Sequence, residues 1–375
     1  MRVIGIVAEY NPFHYGHLYQ IRKVKEMYPD SVIIAIISTN YTQRGGFSLI
    51  NKWDKTRICL NYGIDMVVEL PTLYTTQGAD MFAYGAISIL NMLHIDTLVF
   101  GMECDDVEYL IKAAKTQINN SKYDELVQKY LLTGINYPTV LGKALKEMIG
   151  YTTDKPNDLL AISYIKEIIK NNYKIEPVGI KRTNDYHGKE IKSSIVNASL
   201  IRDMLDKNMD VSKYVPTETY KCLNMKNFDN GYLLLKYNIS NNENRLYEYL
   251  TVDEGIENRI LKYYKDCDNW CALVNLIKTK RYTYNKVNRM LMHILLNIKK
   301  IDNNKEIYLR VLGFNDIGRN YLKQIKKDLD VINTCKQGIN KALDIEINAT
   351  YIYSLITGDN SLIEREYKNK PIIFH

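Results

Sequence analysis

The sequence lacks the features that would place it in a membrane or in a secretory pathway. No apolar run approaches the ~18 residues that a membrane-spanning helix needs, although 46% of the 375 residues are hydrophobic. There is no basic leader followed by an apolar stretch and a cleavage site. We therefore expect a soluble, cytoplasmic protein without a membrane partner.

Cysteine is sparse, and no arrangement typical of a resident metal site is evident. The six cysteines are scattered through a large chain, which indicates reduced thiols rather than a disulfide framework. Cys267 and Cys271 resemble half of a metal site, but the sequence has no second pair, so ordinary helical cysteines are favoured. His94, His187 and His293 lack partner spacing, and we predict structural roles for them. We predict no protein metal site.

Positive charge is concentrated in the second half of the chain. Residues 259–327 contain 16 Lys and Arg against 5 Asp and Glu, whereas the whole chain has a net charge of +7. A basic region beside a nearly neutral one indicates a face that binds a polyanion such as nucleic acid. Solvated helix surfaces would give the same count, so charge alone leaves both interpretations open.

The first half alternates short apolar runs with helical patterns. Strands without polar alternation, separated by helices, indicate a parallel sheet covered on both faces. In such sheets the ligand crevice lies at the carboxyl ends of the strands. The predicted strands are Val3–Ala8, Ser31–Ser38, Met66–Leu70, Thr97–Phe100 and Lys174–Arg182.

The pattern predicts two domains, which the length of the chain also favours. The fold class is α/β, with a Rossmann-like parallel-sheet domain over residues 1–215 that carries a helical insertion at about 105–150. A mainly α-helical, basic domain follows over residues 216–375, and Pro216 marks the boundary.

The most informative segment runs from Gly5 to His17 and ends in Asn-Pro-Phe-His-Tyr-Gly-His. A predicted strand passes into a loop, and two histidines then flank Gly16 where a helix begins. Free N–H groups and the positive dipole end of a new helix suit phosphate oxygens. Imidazole donors can stabilise charge on a leaving pyrophosphate. The pattern favours ATP binding over a metal pair or two packed side chains.

These residues resemble the nucleotidylyltransferase superfamily, and further motifs narrow the resemblance to the bacterial tRNA(Met) cytidine acetate ligases. The resemblance covers most of the chain, including the basic half. The motifs that carry it are Ala8–His14, Gln43-Arg44-Gly45, Val68–Pro71, Phe100-Gly101, Pro156-Asn157-Asp158, the segment at Arg182, and Leu276–Thr283.

The resemblance implies an enzyme that activates acetate with ATP as acetyl-adenylate. The acetyl group then passes to N4 of the wobble cytidine of elongator tRNA(Met). ATP would be a co-substrate, accompanied by Mg²⁺ on the triphosphate, and tRNA and acetate would be the partners. An adenylyltransferase that joins AMP to a small phosphorylated substrate is the alternative, and a non-catalytic RNA-binding protein is a third, less favoured one.

The resemblance also implies the site residues. His14 and His17 would be catalytic. The ATP site would comprise Val7, Ala8, Glu9, Tyr10, Asn11, Pro12, Phe13, His14, Tyr15, Gly16, His17, Leu18, Tyr19, Gln20, Gly101, Asn157 and Arg182, with Ser199 and Arg202 as a second phosphate-binding motif.

Several of these residues have an ordinary structural alternative. Asn157 could be a plain helix N-cap, and Arg182 a surface arginine. Ser199 is predicted to cap a helix from which Arg202 reaches the β- and γ-phosphates. Residues 43–46 could form a mobile lid or a substrate clamp, or only a tight surface loop.

The tRNA-binding residues are predicted where cations alternate with tyrosines, as is common in RNA binding. They are Lys278, Lys280, Arg281, Lys286 and Arg289. The sequence departs from the family pattern at Met102, at Thr183-Asn184-Asp185 and at Asn197, which bears on the ribose and phosphate contacts.

Overall fold

The structure is a computed structural model that describes residues 1–182, 195–223, 228–332, 335–368 and 370–375. Its strands are, in chain order, β1 (Val3–Ala8), β2 (Val32–Ser38), β3 (Met66–Leu70), β4 (Thr97–Met102), β5 (Glu176–Lys181), β6 (Val311–Phe314) and β7 (Ile372–Ile373). In the described part of the chain they form one seven-stranded sheet of order β5-β4-β1-β2-β3-β6-β7.

The first five strands run parallel and carry the predicted Rossmann-like arrangement. Every residue of β2 and β3 is buried, which explains why these segments are continuous apolar runs. The α/β prediction is confirmed, and the strand bounds agree with the predicted ones to within two residues.

Helices of the first part connect the parallel strands and cover the sheet. They are α1 (Tyr15–Met27), α2 (Lys52–Asn61), α3 (Thr72–Thr75), α4 (Ala79–Met92), α5 (Val107–Thr116), α6 (Ser121–Leu131), α7 (Tyr137–Ile149), α8 (Pro156–Lys170) and α9 (Ala198–Asp206). Helices α5, α6 and α7 occupy the stretch predicted as a helical insertion.

The second part is mainly helical. Its helices are α10 (Thr217–Cys222), α11 (Asp229–Asn241), α12 (Ile256–Tyr263), α13 (Trp270–Ile277), α14 (Tyr284–Leu295), α15 (Asp316–Ile325), α16 (Lys341–Thr357) and α17 (Ser361–Lys368), with 3-10 turns at Glu243–Glu248, Lys300–Asp302 and Lys326–Asp328. No helix in the described ranges is long and apolar enough to cross a bilayer.

The second part also extends the sheet, which the helical pattern did not predict. Strand β6 pairs antiparallel with β3, and β7 pairs parallel with β6. With four and two residues, these strands are too short to show a periodicity in the sequence. The division at residue 216 stays a prediction, and one hydrophobic core runs through both parts.

A buried group of charges joins the two parts beneath this extension of the sheet. We call it the Lys52 cluster, and its members are Lys52, Glu69, Arg310, Glu346 and Glu366. The Lys52 Nζ atom lies 3.0 Å from Glu69, 3.0 Å from Glu346 and 2.7 Å from Glu366. Arg310 pairs with both Glu366 and Glu69. The charges therefore link α2 and β3 to α16, α17 and the segment before β6.

Candidate active site

A cavity of about 510 Å³ opens at the carboxyl ends of the parallel strands, where a ligand crevice is expected. Most of the predicted ATP-site residues line it. They are Val7, Ala8, Glu9, Tyr10, Asn11, His14, His17, Gln20, Gly101, Asn157, Arg182, Ser199 and Arg202.

The other predicted ATP-site residues do not line the cavity but are neighbours of residues that do. Phe13 and Leu18 are buried in the hydrophobic core, and the Phe13 ring stacks on that of Tyr62 at 5.5 Å. The remaining four, which belong to the same loop and to the first turns of α1, are Pro12, Tyr15, Gly16 and Tyr19.

The two histidines form a reciprocal cap at the start of α1. The Gly16 N–H donates to Nδ1 of His14 at 3.0 Å, and the His14 N–H donates to Nδ1 of His17 at 3.2 Å. The two rings stack with 3.8 Å between their centroids. Gly16 is required here because a Cβ atom would lie 2.8 Å from the His14 ring.

These contacts determine which proton each histidine carries. A ring nitrogen that accepts a backbone N–H is unprotonated, so each neutral ring keeps its proton on Nε2. Burial, with help from Arg182 and Arg202, lowers the pKa of His14 to about 3. Burial, His14 and Arg182 lower the pKa of His17 well below its ordinary value. At neutral pH the site therefore holds two neutral imidazoles, each with one N–H to donate.

Arginine side chains give the cavity a positive character. Arg202 donates from Nη1 to the Asn11 carbonyl at 2.7 Å and from Nη2 to the Ser199 hydroxyl at 3.0 Å. Arg44, Arg182 and Arg289 also line the cavity. Within the described part of the chain, Glu9 is the only carboxylate in the lining. A triphosphate would therefore meet more positive than negative charge.

The predicted capping roles of Asn157 and Ser199 are wrong. Helix α8 begins at Pro156 with Lys155 as its N-cap, so Asn157 lies in the first turn and donates to the Glu103 carboxylate. Helix α9 is capped by Asn197, whose Oδ1 accepts the Leu200 N–H at 2.8 Å. Asn157 and Ser199 both line the cavity, and neither caps its helix.

The structure describes two of the residues at which the sequence departs from the family pattern. Asn197 lines the cavity and caps α9, and Met102 is a buried residue at the end of β4. Thr183-Asn184-Asp185 and His187 lie outside the described residues. Of the other two histidines, His94 is exposed, and His293 is buried with its Nδ1 near the Leu250 carbonyl at 2.9 Å.

The loop after β2 forms one wall of the cavity. Gln43 and Arg44 are in the lining, and the Gln43 N–H donates to the Glu9 carboxylate. Gly45 has a φ of +77° and lies against α14, where a Cβ atom would be 2.4 Å from the Arg289 nitrogen. This loop is thus docked on the second part of the chain, and whether it opens as a lid stays a prediction.

The predicted tRNA-binding residues fall into two groups. Lys278, Lys280 and Arg281 are exposed, and Arg281 pairs with Glu254 at 2.6 Å. Lys286 is partly buried, with its ammonium 4.3 Å from the centre of the Tyr282 ring. Arg289 lines the cavity instead of sharing the exposed surface. The structure therefore separates Arg289 from the residues with which it was grouped.

Part of the positive charge counted in the sequence is used inside the protein. Arg310 belongs to the Lys52 cluster, and Arg259 donates to the carbonyls of Leu276 and Ile277 at the end of α13. The exposed basic surface is therefore smaller than the count predicted.

Residues 283 and 285 also line the cavity, and neither was predicted as a site residue, although Thr283 ends the motif Leu276–Thr283. Thr283 caps α14, and Asn285 follows in its first turn. They lie far along the chain from the histidines, so no local motif could connect them with the site. Only the docking of α14 against the loop after β2 brings them there.

The absence of a protein metal site stays a prediction. Glu69, Glu346 and Glu366 approach one another closely enough to hold an ion, but the Lys52 Nζ atom lies between them. Cys267 and Cys271 are both free thiols, the first buried and the second exposed.

A parallel sheet with a positively charged cavity over a histidine-capped helix defines a Rossmann-like nucleotidyl transferase. A family model described as HIGH Nucleotidyl Transferase matches residues 1–369. The tRNA(Met) cytidine acetate ligase of Clostridium perfringens is 36% identical, and the match covers 100% of both chains. That of Anoxybacillus flavithermus is 34% identical over 99% of this chain and 100% of its own.

Solved structures agree with the sequence comparisons. Thermotoga maritima TmcAL in an apo form superposes with a TM-score of 0.90, at 25% identity and with 100% of both chains covered. The same protein bound with alpha-thio ATP gives a TM-score of 0.88 over 100% of both chains. The chain belongs to the HIGH nucleotidyl transferase family, in its group of tRNA(Met) cytidine acetate ligases.

Proposed function

We propose that this protein uses ATP to activate acetate as acetyl-adenylate and transfers the acetyl group to N4 of the wobble cytidine of elongator tRNA(Met). The observation that carries the proposal is the full-length similarity to ligases of that name, combined with a cavity built around His14 and His17. We infer a cytoplasmic enzyme, since ATP and tRNA are both available there.

In the first step a carboxylate oxygen of acetate attacks the α-phosphorus of ATP. The bond from that phosphorus to the α–β bridging oxygen breaks, and pyrophosphate leaves with the electron pair. Acetate is ionised at neutral pH, so no general base is needed for this attack. The Nε2–H groups of His14 and His17 would donate to the oxygens on which charge develops, and one such donor is typically worth about 10²–10³ in rate.

In the second step the exocyclic amine of cytidine attacks the carbonyl carbon of acetyl-adenylate. The carbon–oxygen bond to AMP breaks, the amine loses a proton, and AMP leaves. Both partners must be held in one orientation, which supplies much of the rate enhancement in such transfers. The cytidine must also leave its stack in the RNA loop to reach the cavity.

Mg²⁺ is proposed as the partner of the triphosphate. This ion prefers oxygen ligands, keeps several waters and is commonly held by one or two carboxylates together with substrate phosphates. A cavity with Glu9 as its lining carboxylate fits an ion held mainly by the nucleotide. The ion would neutralise charge on the β- and γ-phosphates.

The exposed residues Lys278, Lys280 and Arg281, with the partly buried Lys286, are proposed to contact tRNA phosphates. They lie at the end of α13 and the start of α14, next to the residues of α14 that line the cavity. A tRNA held by these cations would be near the site of acetyl transfer, as the second step requires.

The alternative is an adenylyltransferase that joins AMP to a small phosphorylated substrate. It uses the same attack on the α-phosphorus, but it needs no second part of 150 residues or more with a basic surface. Full-length similarity to the acetate ligases does not favour it.

The discriminating experiment supplies the purified protein with ATP, Mg²⁺, labelled acetate and tRNA, without coenzyme A. We expect label in cytidine of the tRNA and one AMP for each acetyl group. Transfer of AMP to a phosphate ester, with no label in the RNA, would instead support the adenylyltransferase.

A further inference from the structure

The lining residues that come from the β4 side of β1 differ in chemistry from those that come from its β2 side. In the sheet, β1 lies between β4 and β2, and His14 follows β1. On the β4 side the lining includes the apolar or aromatic residues Phe100, Pro156, Leu160 and Tyr164, beside the polar Asn157 and the cationic Arg182. Such a surface suits a nucleotide base, and it leaves the opposite side for the second reactant.

On the β2 side the lining is polar and cationic. It consists of Gln43 and Arg44 from the loop after β2 and of Thr283, Asn285 and Arg289 from the start of α14. An uncharged or apolar group would gain little here, whereas a small anion would be attracted. The reactant on this side should therefore be anionic.

Arg289 is a cation on this side whose charge no carboxylate of the described residues balances. Its Nη1 donates to the Gln43 carbonyl at 3.2 Å, and within the described ranges it forms no ion pair with a carboxylate. Burial lowers the pKa of its guanidinium to about 10, so it is still protonated at neutral pH. A partly buried cation is costly unless an anion pairs with it.

Two of the other arginines, Arg182 and Arg202, lie close enough to His14 or His17 to lower a histidine pKa, whereas Arg289 does not act on either of these histidines. The charge of Arg182 lowers the pKa of His14 and of His17, and that of Arg202 lowers the pKa of His14. The charge of Arg289 acts instead on Lys286 and His293. Arg182 and Arg202 would thus pair with the phosphates that contact the histidines. Arg289 would then be available to bind another anion.

The protein also fixes the position of Arg289. Gly45 packs against the backbone of Asn288 and Arg289, and the Asn288 side chain accepts the Trp270 indole N–H at 2.8 Å. A side chain on a helix held from two directions can orient a small ligand. This is what a reaction between two separate anions requires.

We propose that Arg289 binds the carboxylate of acetate on the β2 side of the cavity and presents it to the α-phosphorus. This inference rests on the proposed function and adds the acetate site to it. Acetate and the α-phosphate repel each other, and a guanidinium beside the carboxylate offsets that repulsion. Its planar fork can hold one carboxylate through two parallel N–H groups, which a lysine ammonium does not reproduce.

The test uses Arg289→Ala and Arg289→Lys in the full-length protein, with acetate-dependent exchange of pyrophosphate into ATP measured without tRNA. Loss of a charge-assisted contact should raise the KM for acetate roughly 10- to 100-fold in Arg289→Ala. Arg289→Lys should lie between it and the wild type. The Kd for ATP, measured by calorimetry, should change by less than about threefold because Arg182 and Arg202 remain.

Two controls separate binding from folding. Arg319→Ala removes an exposed arginine of α15 and should leave the KM for acetate unchanged. Added guanidinium ion should lower the KM for acetate in Arg289→Ala but not in the wild type, a response that a misfolded protein would not give.

Four outcomes would overturn the proposal. An equal loss of ATP affinity would make Arg289 a triphosphate ligand. An unchanged KM for acetate with weaker tRNA binding would return it to the RNA-binding residues. If the wild-type protein shows no acetate-dependent exchange, the proposed function fails as well, whereas wild-type exchange with a normal KM in Arg289→Ala removes only the assignment of Arg289.

Discussion

The molecule contains two concentrations of buried or partly buried charge, and they are built differently. In the Lys52 cluster two cations face three carboxylates, with further hydrogen bonds from Tyr308 and Thr72. In the cavity, four arginines share the lining with the single carboxylate of Glu9 among the described residues. In the first set most charges are paired within the protein, and the second has an excess of positive charge.

The electrostatics of the two sets differ accordingly. Burial alone would lower the pKa of Lys52, but the carboxylates of Glu346, Glu366 and Glu69 outweigh it and raise that pKa. In the cavity, burial lowers the pKa of Arg289 without such an opposing effect. The paired charges of the Lys52 cluster join the two parts of the chain, whereas the excess positive charge of the cavity can bind an anionic ligand. Substitutions in the Lys52 cluster should therefore affect folding, whereas substitutions of the cavity arginines should affect ligand binding and catalysis.

The largest effect is expected from Lys52→Met. It removes the cation that three fully buried carboxylates share, and breaking a buried ion pair from one side typically costs about 3–5 kcal/mol. The free energy of unfolding, measured by urea denaturation, should fall by about this amount. ATP affinity should persist at temperatures where the variant is folded.

Lys23→Met is the matched control for that variant. Lys23 pairs with Glu26 on the exposed face of α1, so its loss should leave the urea midpoint nearly unchanged. Equal effects of the two substitutions would contradict the structural role assigned to the Lys52 cluster.

The second effect concerns catalysis. His14→Ala or His17→Ala should each slow formation of acetyl-adenylate by roughly 10²–10³, the usual cost of one transition-state donor. ATP binding should weaken less than the rate, since the arginines remain. Exchange of pyrophosphate at the wild-type rate in either variant would exclude these histidines from the mechanism.

The smallest effect is expected at the exposed basic residues. Lys280→Ala with Arg281→Ala should weaken tRNA binding and make the plot of log affinity against log salt shallower by up to about 2, if each cation contacts one phosphate. Because Arg281 already pairs with Glu254, most of the change should come from Lys280. A filter-binding titration at several salt concentrations measures it, and an unchanged slope would place the tRNA elsewhere.

Local sequence was sufficient for the five parallel strands and for the loop that carries the two histidines. The continuous apolar runs around Ile4, Ile36 and Val68 could only be strands buried on both faces, and their order along the chain placed the His14 motif at a strand end. Helix starts were less certain, because Asn157 and Ser199 each stand within two residues of the true N-cap.

The local sequence pattern could not predict contacts between distant parts of the chain. Arg289 lies three residues after Lys286, next to the same stretch of cations and tyrosines, so the sequence pattern grouped both with RNA binding. Its place in the cavity depends on Gly45, which is more than 240 residues away and packs against the same helix. Likewise, the charge count alone could not show that Arg310 is buried in an ion pair with Glu366.

The most direct test of the central claim follows the oxygen atoms of acetate. If acetate attacks the α-phosphorus, one of its oxygens becomes the bridge to AMP and stays with AMP when the amine takes the acetyl group. With acetate labelled by ¹⁸O at both oxygens, mass spectrometry should find one ¹⁸O in each AMP formed together with acetylated tRNA. Acetylated tRNA accompanied by unlabelled AMP, or by ADP and labelled phosphate, would contradict the account.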